Sequence, residues 1–276
     1  MATSSITSTS LPYTAKNFLD PRDFQIAFLS VFLIYGIIAL DWSADWAKYL
    51  TLVSVSVIVQ AIGERIVNKD RSSWKSAVIT ALGLCLLLKS GELWVLALAS
   101  AVAIAGKFLI RYQGKHVFNP GNFAIVSVLL LTDQAWISPG QWGSGFTLFF
   151  FFGAAAAMVL LKVGRLDTCI SFLITFALLE FSRTVLFLGW GPDVFLHKMC
   201  NGSFLLFTFF MITDPVTTPN DKKARVLWSV LIAVLAFILS HWLYIHTAPI
   251  WALVIAAPIT ALLDRKFKSS IFQWNR

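Results

Sequence analysis

Long apolar stretches with almost no charged residues recur along the whole sequence, and they constrain its fold more than any other feature. Most of them are apolar on every side, whereas a surface helix is apolar on one face only. The chain is 58% hydrophobic and 13% charged, and a soluble domain carries about 25% charged residues. We therefore predict an all-α integral membrane protein with about ten transmembrane helices, some of them short half-helices. The predicted segments are 24–40, 49–62, 76–88, 93–110, 121–132, 146–161, 168–188, 203–212, 226–245 and 249–263.

The positions of the basic residues test this segment count, because cytoplasmic loops of membrane proteins are enriched in lysine and arginine. With the N-terminus inside, most of the 22 basic residues fall in predicted inner loops and termini. Only Lys48, Lys89 and Lys198 fall in predicted outer loops, while Lys107 and Arg183 lie within segments. The pattern predicts a multi-pass protein of the inner (cytoplasmic) membrane with both termini in the cytoplasm. It also accounts for the net charge of +8 with the lipid bilayer as partner and without nucleic acid.

The ten segments divide into two groups of five. Residues 24–132 form the first half, residues 146–268 the second, and residues 133–145 a short outer loop between them. Five segments per half would make the halves antiparallel, as in transporters built from inverted repeats. Residues 1–23 are predicted to be a flexible cytoplasmic tail without a cleaved signal peptide. Residues 269–276 are predicted to be a cytoplasmic C-terminal tail.

One predicted segment stops too early to cross a bilayer. Residues 203–212 cover about half of a ~30 Å hydrocarbon layer, and the chain then breaks into Thr-Asp-Pro-Val-Thr-Thr-Pro. Within a membrane protein, irregular polar backbone is stable where it lines a cavity or binds a ligand. Thr213, Asp214 and Thr217 are therefore predicted binding residues. The alternative is a plain helix-ending turn opened by Asp-Pro.

A second polar break, Asn-Pro-Gly-Asn at 119–122, opens the fifth segment. Proline suits the first turn of a helix and asparagine its cap, so the free N–H groups of this end can face an anion or a polar ring. Asn119, Pro120 and Asn122 fall on the same predicted side of the membrane as Asp214. We therefore predict that the two breaks together form a binding site, and an ordinary helix cap at the membrane edge is the alternative.

Four ionisable residues lie in or near apolar segments and predict an intramembrane charge pathway: Glu64, Lys107, Glu180 and Arg183. Glu180 and Arg183 are three residues apart and can pair on one helix face; snorkelling and structural pairing are the alternative reading of all four. Three scattered cysteines and four unclustered histidines predict no metal site. The sequence has no nucleophile elbow, phosphate-binding loop or dinucleotide-binding glycine motif, so no catalytic residue is assigned.

The two breaks and the end of the chain resemble a known family. Phe-Asn-Pro at 118–120, Phe-Phe-Met-Ile-Thr-Asp-Pro-Val-Thr at 209–217 and Ala-Ala-Pro-Ile-Thr-Ala-Leu-Leu-Asp-Arg at 256–265 are similar to two subunits. These are the D subunit of Rnf electron-transport complexes and the B subunit of sodium-pumping NADH:quinone reductase. The resemblance implies a ten-helix inverted-repeat fold like that of urea and ammonium channels, and electron transfer through flavins.

In that family one flavin mononucleotide is esterified to a threonine of a Ser/Thr-Gly-Ala-Thr motif in a long outer loop. A second flavin, riboflavin in the B subunit, is bound non-covalently near the Asn-Pro region. The nearest match here, Ser-Gly-Phe-Thr at 144–147, has phenylalanine for alanine and starts a predicted helix. Thr147 is a weak candidate because an acceptor needs an accessible loop. The resemblance thus implies a non-covalent flavin (riboflavin or FMN) or a quinone at the two breaks, without the covalent FMN.

Short single-gene relatives of this family, including membrane proteins encoded in enediyne biosynthetic clusters, are similar in two further places. These are Leu-Asp-Pro-Arg-Asp-Phe at 19–24 and Ser-Pro-Gly-Gln-Trp-Gly at 138–143. We predict a membrane electron-transport subunit that works with other membrane or redox subunits. An inverted-repeat transporter or channel for a small solute or ion, without a redox role, is the alternative, and a purely structural partner subunit is a third reading.

Overall fold

The computed structural model describes residues 20–67, 74–143 and 146–274, and in these ranges the protein is a bundle of helices with two short two-stranded sheets. The helices are α1 Pro21–Ala39, α2 Trp46–Ile66, α3 Trp74–Leu87, α4 Leu93–Leu109, α5 Pro120–Leu131, α6 Phe146–Val163, α7 Leu166–Phe181, α8 Pro192–Met199, α9 Gly202–Leu206, α10 Lys222–His241, α11 Ala248–Ala256 and α12 Ile259–Lys266. The strands are β1 Leu88–Ser90, β2 Arg111–Tyr112, β3 Lys115–His116 and β4 Ala135–Ile137. Two helices continue as π-helical segments, α7 through Ser182–Phe187 and α9 through Phe207–Met211.

Helix length and composition confirm the all-α class. Four helices are long and apolar enough to cross a membrane alone: α1, α2, Leu166–Phe187 and α10. Two bent pairs pass the same test together, α8 with Gly202–Met211 at 50° and α11 with α12 at 48°. Four shorter apolar helices are Trp74–Leu87, Leu93–Leu109, Pro120–Leu131 and Leu148–Val163. Each of the ten predicted segments overlaps one of these helices, while their arrangement as ten spans in two inverted repeats stays a prediction.

Large apolar side chains point outward from the helices. The exposed fraction is 75% for Ile38, 76% for Ile66 and 80% for Leu109. In water each Å² of such surface costs about 25 cal/mol, whereas lipid tails are as apolar as the side chains themselves. Several polar side chains, in contrast, are buried between helices. This inside-out distribution fits a multi-pass membrane protein.

Residues 133–143, most of the segment predicted to be a short outer loop, contain regular structure. Strand β4 pairs antiparallel with β1, and a 3₁₀ turn, Pro139–Trp142, follows. This turn is held by Gln141, whose side chain donates to the Leu86 carbonyl at 2.8 Å and whose carbonyl accepts from the Trp42 indole at 2.9 Å. Trp142 is fully buried and lies 5.5 Å from the ring of Phe152. The loop therefore closes one end of the bundle with aromatic rings.

Several predicted boundaries differ from the structure. Helix α1 begins at Pro21, capped by Asp20, inside the predicted tail of residues 1–23, whose first 19 residues lie outside the described ranges. The eighth predicted segment is preceded by a separate short helix, α8. Asn201 caps the start of the next helix, α9, since its side chain accepts from the N–H groups of Ser203 and Phe204. The tenth segment is two helices joined at Pro258, which cannot donate a backbone hydrogen bond. At the C-terminus, Phe272 and Trp274 pack against the core.

Candidate functional site

The two polar breaks meet in the structure. The side-chain amide of Asn119 lies 3.4 Å from the Asp214 carboxylate and 3.4 Å from the Met211 carbonyl. This contact joins the start of α5 to the loop that follows the π-helical end of α9. Two segments that are about 90 residues apart in the chain thereby present an amide and a carboxylate to the same space.

Each break is built by local hydrogen bonds. At the first, the Asn119 side chain accepts from the Asn122 N–H at 3.0 Å, and Pro120 occupies the first helical position. At the second, the Thr213 hydroxyl donates to the Phe209 carbonyl at 2.6 Å, which ends the helix. The Asp214 side chain then accepts from the Val216 N–H at 3.1 Å. Side-chain bonds of this kind are the reason asparagine, aspartate and threonine favour caps and turns.

A cavity of about 110 Å³ lies between the two breaks. Its polar end is lined by Asn119, Thr213, Asp214 and His116, and Pro120 also borders it. The remaining wall is largely apolar and includes Leu29, Ile125, Leu160, Phe209 and Phe210, with Arg22 and Trp274 at another side. Four of the six predicted binding residues therefore line one cavity, and whether they bind a ligand stays a prediction.

Asn122 and Thr217, the other two predicted binding residues, do not line this cavity. The Asn122 side chain donates to the Ile250 carbonyl at 3.0 Å and so ties α5 to α11. Thr217 is buried, and its hydroxyl donates to the Asp214 carbonyl at 3.4 Å. The sequence pattern predicted that both residues bind the ligand. In the structure the first turn of α5 directs Asn122 into the protein, and the Asp-Pro turn does the same for Thr217, so that both residues stabilise the two breaks.

Asp214 is only partly buried, with 17% of its side chain exposed, and it lies in a loop outside the membrane-crossing helices. Burial raises its pKa, but the His116 imidazole at 3.8 Å, the Val216 N–H and the charge of Lys107 lower it, and the net shift is downward. The carboxylate is therefore ionised at neutral pH. An ionised carboxylate beside an amide gives the cavity an acceptor and a donor at adjacent positions.

Two basic residues that the sequence analysis did not identify, Lys115 and Arg165, donate hydrogen bonds to the second break. Lys115 donates to the Thr218 carbonyl at 2.7 Å and to Asp264 at 2.8 Å. Arg165 donates to the Thr218 hydroxyl at 2.8 Å and to the Pro215 carbonyl at 3.2 Å. Burial lowers the pKa of Lys115, and the Asp264 carboxylate opposes that shift. Burial also lowers the pKa of Arg165 to about 10.

His116 was also missed by sequence reasoning. It lies on β3, which pairs with β2 so that Arg111 is opposite His116. The turn between the strands is Gln113-Gly114, and both residues have positive φ, +48° and +83°, as a two-residue type I′ turn requires. Glycine between two short polar strands is the sequence signal that could have located this hairpin. The hairpin directs Lys115 toward Asp264 and His116 toward the cavity.

Three of the four predicted intramembrane charges, Glu64, Lys107 and Glu180, lie in two clusters of polar contacts. In the first, Gln60 donates to Glu64 at 2.6 Å, and Lys107 donates to Gln60 at 2.9 Å and to Ser76 at 3.0 Å. Ser76 also lines the cavity. This cluster therefore connects α2 and α4 to the wall of the candidate site through α3.

The second cluster lies on α7, α8 and α10. Both oxygens of the Glu180 carboxylate are occupied, one by His241 at 2.7 Å and the other by Lys198 at 3.1 Å. The expected pair with Arg183 is replaced by these contacts. The chain turns π-helical at Ser182, and the wider turn no longer places residues three apart above one another.

Two further expectations concern covalent flavin and metal. Thr147 lies in the first turn of α6, and the preceding residues 144 and 145 of the motif match lie outside the described ranges. Within the described residues no group of three or more histidine, cysteine, aspartate or glutamate side chains could hold a metal ion. Cys85, Cys169 and Cys200 are free and buried.

The helices are apolar and expose apolar outer faces, which defines a multi-pass membrane protein. Two polar breaks in these helices surround a cavity with a polar end, and this cavity is the candidate binding site. The chain belongs to the NQR2, RnfD, RnfE family, whose model matches residues 129–273. The predicted family resemblance is therefore confirmed, and it supports a membrane subunit of a redox complex. The match includes the second break and Asp264 but begins after Asn119. No curated protein matched the chain at the significance required.

Proposed function

We propose that the protein is a membrane electron-transport subunit whose cavity binds the ring of a non-covalent redox cofactor, a flavin or a quinone. The observation that carries this proposal is the contact between Asn119 and Asp214 at the polar end of a largely apolar cavity. When bound, the cofactor supplies the electron-carrying chemistry, and the protein supplies binding, orientation and electrostatics.

The donor and acceptor pattern suits the polar edge of a redox ring. The Asn119 amide can donate to a ring carbonyl, and the Asp214 carboxylate can accept from a ring N–H such as that of a flavin. Phe209, Phe210 and the aliphatic wall exclude water from the ring faces. A simple helix cap needs only the Asn119 side chain, whereas a bound ring would use both the Asn119 amide and the Asp214 carboxylate.

The size of the cavity sets a condition on the ligand. A cavity of about 110 Å³ approaches the ~150 Å³ that holds one benzene molecule. Because the cavity is smaller than that, even a single quinone ring requires some movement of the lining side chains. A tricyclic flavin ring requires side chains such as Phe210 or Trp274 to move aside. Thr147, in a helical turn, is proposed not to carry a covalent flavin.

One experiment tests this proposal directly. Purified protein in detergent is first examined for flavin absorbance, with acid precipitation to separate released flavin from protein-bound flavin, and for extractable quinone. Binding of riboflavin and of menadione is then titrated to wild type, Asn119→Ala and Asp214→Asn. Loss of a hydrogen bond to a charged group costs about 1.5–3 kcal/mol, so we expect at least tenfold weaker binding of riboflavin, which has a ring N–H, by Asp214→Asn. Menadione has carbonyl acceptors and no N–H, so its affinity should fall in Asn119→Ala instead.

Ser127→Ala is the matched control on α5, because the Ser127 hydroxyl bonds only to its own helix, at the Phe123 carbonyl. Its affinity should equal that of wild type. Folded wild-type protein without bound flavin or quinone, and with no affinity for either, would contradict the proposal. Equal affinities in all variants would place the ligand elsewhere.

A transporter or channel for a small solute or ion is the second candidate, and one observation favours it. The Glu64–Gln60–Lys107–Ser76 network leads polar groups through the helices to the cavity wall. A solute pathway would make flux into proteoliposomes depend on Lys107. Flux lost in Lys107→Met, by protein that binds neither riboflavin nor menadione, would favour this candidate.

A further inference from the structure

His116 lies between two cavities. It lines the candidate ligand cavity, and it also lines a small second cavity of about 20 Å³ together with Lys115, Ala261 and Asp264. One water molecule needs about 10–15 Å³, so the second cavity has room for water. No other described residue is shared by these two linings.

The second cavity continues toward the protein surface. Asp264 lines it and also lines a surface depression of about 370 Å³, bordered by Gln113, Asn220 and Lys268. The order from solvent inward is therefore the depression, Asp264, the small cavity, His116 and the ligand cavity. This surface is the one predicted to face the cytoplasm.

The groups along this path are held in fixed positions. Asp264 accepts from Lys115 at 2.8 Å through one oxygen and from the Asn220 N–H at 2.8 Å through the other. Nε2 of His116 lies 3.8 Å from the Asp214 carboxylate. That separation allows proton exchange after a small ring movement or through one water.

The far side of the ligand cavity is packed with aromatic rings. Phe210, which lines the cavity, lies 6.0 Å from the ring of Phe32. Phe32 stacks on Phe152 at 4.0 Å, and Phe152 contacts the buried Trp142. Three sides of the cavity carry polar groups: the His116 side, the side of Arg22 and Trp274, which lie against one another at 5.0 Å, and the Ser76 side.

We propose that His116 is a proton-transfer residue that delivers protons from the Asp264 depression to a ligand in the cavity. This inference rests on the proposed function, because the proton acceptor is a redox ring being reduced. For each electron delivered by an outside reductant, one proton leaves Nε2 of the His116 imidazolium for the ligand. The neutral imidazole keeps its proton on Nδ1, so the vacant Nε2 regains one proton from water in the small cavity after the ring turns toward it. No uncompensated charge then remains in the apolar cavity.

The charges that face His116 favour this role. The Asp214 carboxylate lies 3.8 Å from Nε2 of His116, while Lys115 is already paired with Asp264. Cationic groups near the cavity among the described residues include Lys107 on α4, Arg165 before α7 and Arg22 on α1. Imidazole is the side chain that exchanges protons near neutral pH, and the remaining groups of the path position it.

The first measurement needs no ligand. Full-length protein in detergent is incubated in D₂O, and the reaction of each histidine, exchange of its C2 hydrogen for deuterium, is followed by mass spectrometry, with the exposed His246 as internal reference. Ala261→Phe fills the small cavity. Leu262→Phe is the matched control, since the side chain of Leu262 is 63% exposed. We expect His116 to react in wild type and in the control, and at least tenfold more slowly in Ala261→Phe.

The second measurement uses protein loaded with menadione and freed of unbound ligand by gel filtration. Reduction by dithionite is followed by stopped flow in wild type, His116→Gln and Ala261→Phe. We expect Ala261→Phe to bind menadione with wild-type affinity. Reduction rates are compared on protein with menadione bound, and we expect both variants to be reduced at least tenfold more slowly. Added imidazole should restore the rate in His116→Ala.

The outcomes separate the two proposals. An unreactive His116 in wild type, or wild-type reduction rates in His116→Gln with menadione bound, would overturn proton transfer by His116 alone. The second result would mean that protons reach the ligand by another route, past Arg22 and Trp274 or through Ser76. Failure of wild type to bind either menadione or riboflavin would overturn the proposed function, and the proton transfer with it.

Discussion

At the scale of single residues, the site depends on a buried pair of opposite charges, Lys115 and Asp264. Asp264, with 9% of its side chain exposed, is paired with Lys115, of which 10% is exposed. Desolvation of such a pair is repaid only when both partners are present. The same Lys115 holds the Thr218 carbonyl, so one cation fixes both the second break and the C-terminal helix α12.

We predict that Lys115→Met lowers the free energy of unfolding by roughly 3 kcal/mol, since it leaves the Asp264 carboxylate buried and unpaired. Thermal unfolding in detergent, followed by tryptophan fluorescence, measures the change. The double variant Lys115→Met/Asp264→Leu should recover most of the loss. Lys48→Met serves as control, because the Lys48–Asp45 pair is exposed and such pairs contribute about 0–1 kcal/mol. Equal effects of Lys115→Met and Lys48→Met would contradict this account.

At the scale of elements, broken helices set the geometry of the site. Helix α9 begins beside the buried Trp142, and its π-helical continuation ends at Met211, three residues before Asp214. A Cβ atom on Gly202 would lie 2.7 Å from three atoms of Trp142, so the close approach of α9 to the outer segment requires glycine. The position of α9 in turn fixes where the Thr213–Asp214 break falls relative to Asn119.

Gly202→Ala is therefore expected to destabilise the protein by about 1–3 kcal/mol, as overpacking of a filled core does. Gly153→Ala is the matched control on α6, because its Cβ would meet only the Phe209 ring at 4.0 Å. Removing a helical glycine should leave stability unchanged or raise it by about 0.5–1 kcal/mol. Melting temperatures of the two variants in the same detergent decide the matter, and an unaffected Gly202→Ala would show that Trp142 can move.

At the scale of the whole molecule, polar contacts gather in similar places in the two predicted halves. Helix α2 packs on α4 and brings together Glu64, Gln60 and Lys107; α7 packs on α10 and brings together Glu180 and His241. In each predicted half, the helix of the second predicted segment thus packs on the helix of the fourth predicted segment and carries a buried glutamate. An internal repeat would produce such a correspondence, and the inverted arrangement of the two halves stays a prediction.

The predicted orientation can be measured by labelling single introduced cysteines with a membrane-impermeant maleimide. The native cysteines are all buried, so wild type should remain unlabelled. In right-side-out vesicles we expect Gln134→Cys to react and Ser269→Cys to react only after permeabilisation. The reverse pattern would invert the topology, and labelling of both from outside would show that the number of spans between them is wrong.

Composition determined the all-α membrane class, because long segments that are apolar on every side satisfy their backbone hydrogen bonds in a bilayer as helices, whereas the strands of a membrane barrel alternate apolar and polar residues. The local sequences Asn-Pro and Thr-Asp-Pro located both breaks, since proline and side-chain caps act within one turn of the chain. Only the tertiary structure decided which of these residues face a cavity, because the direction of a side chain depends on the packing of its helix. It turned Asn122 and Thr217 inward, paired Glu180 with His241 in place of Arg183, and brought His116 and Lys115 to the site from a hairpin whose partners are distant in sequence.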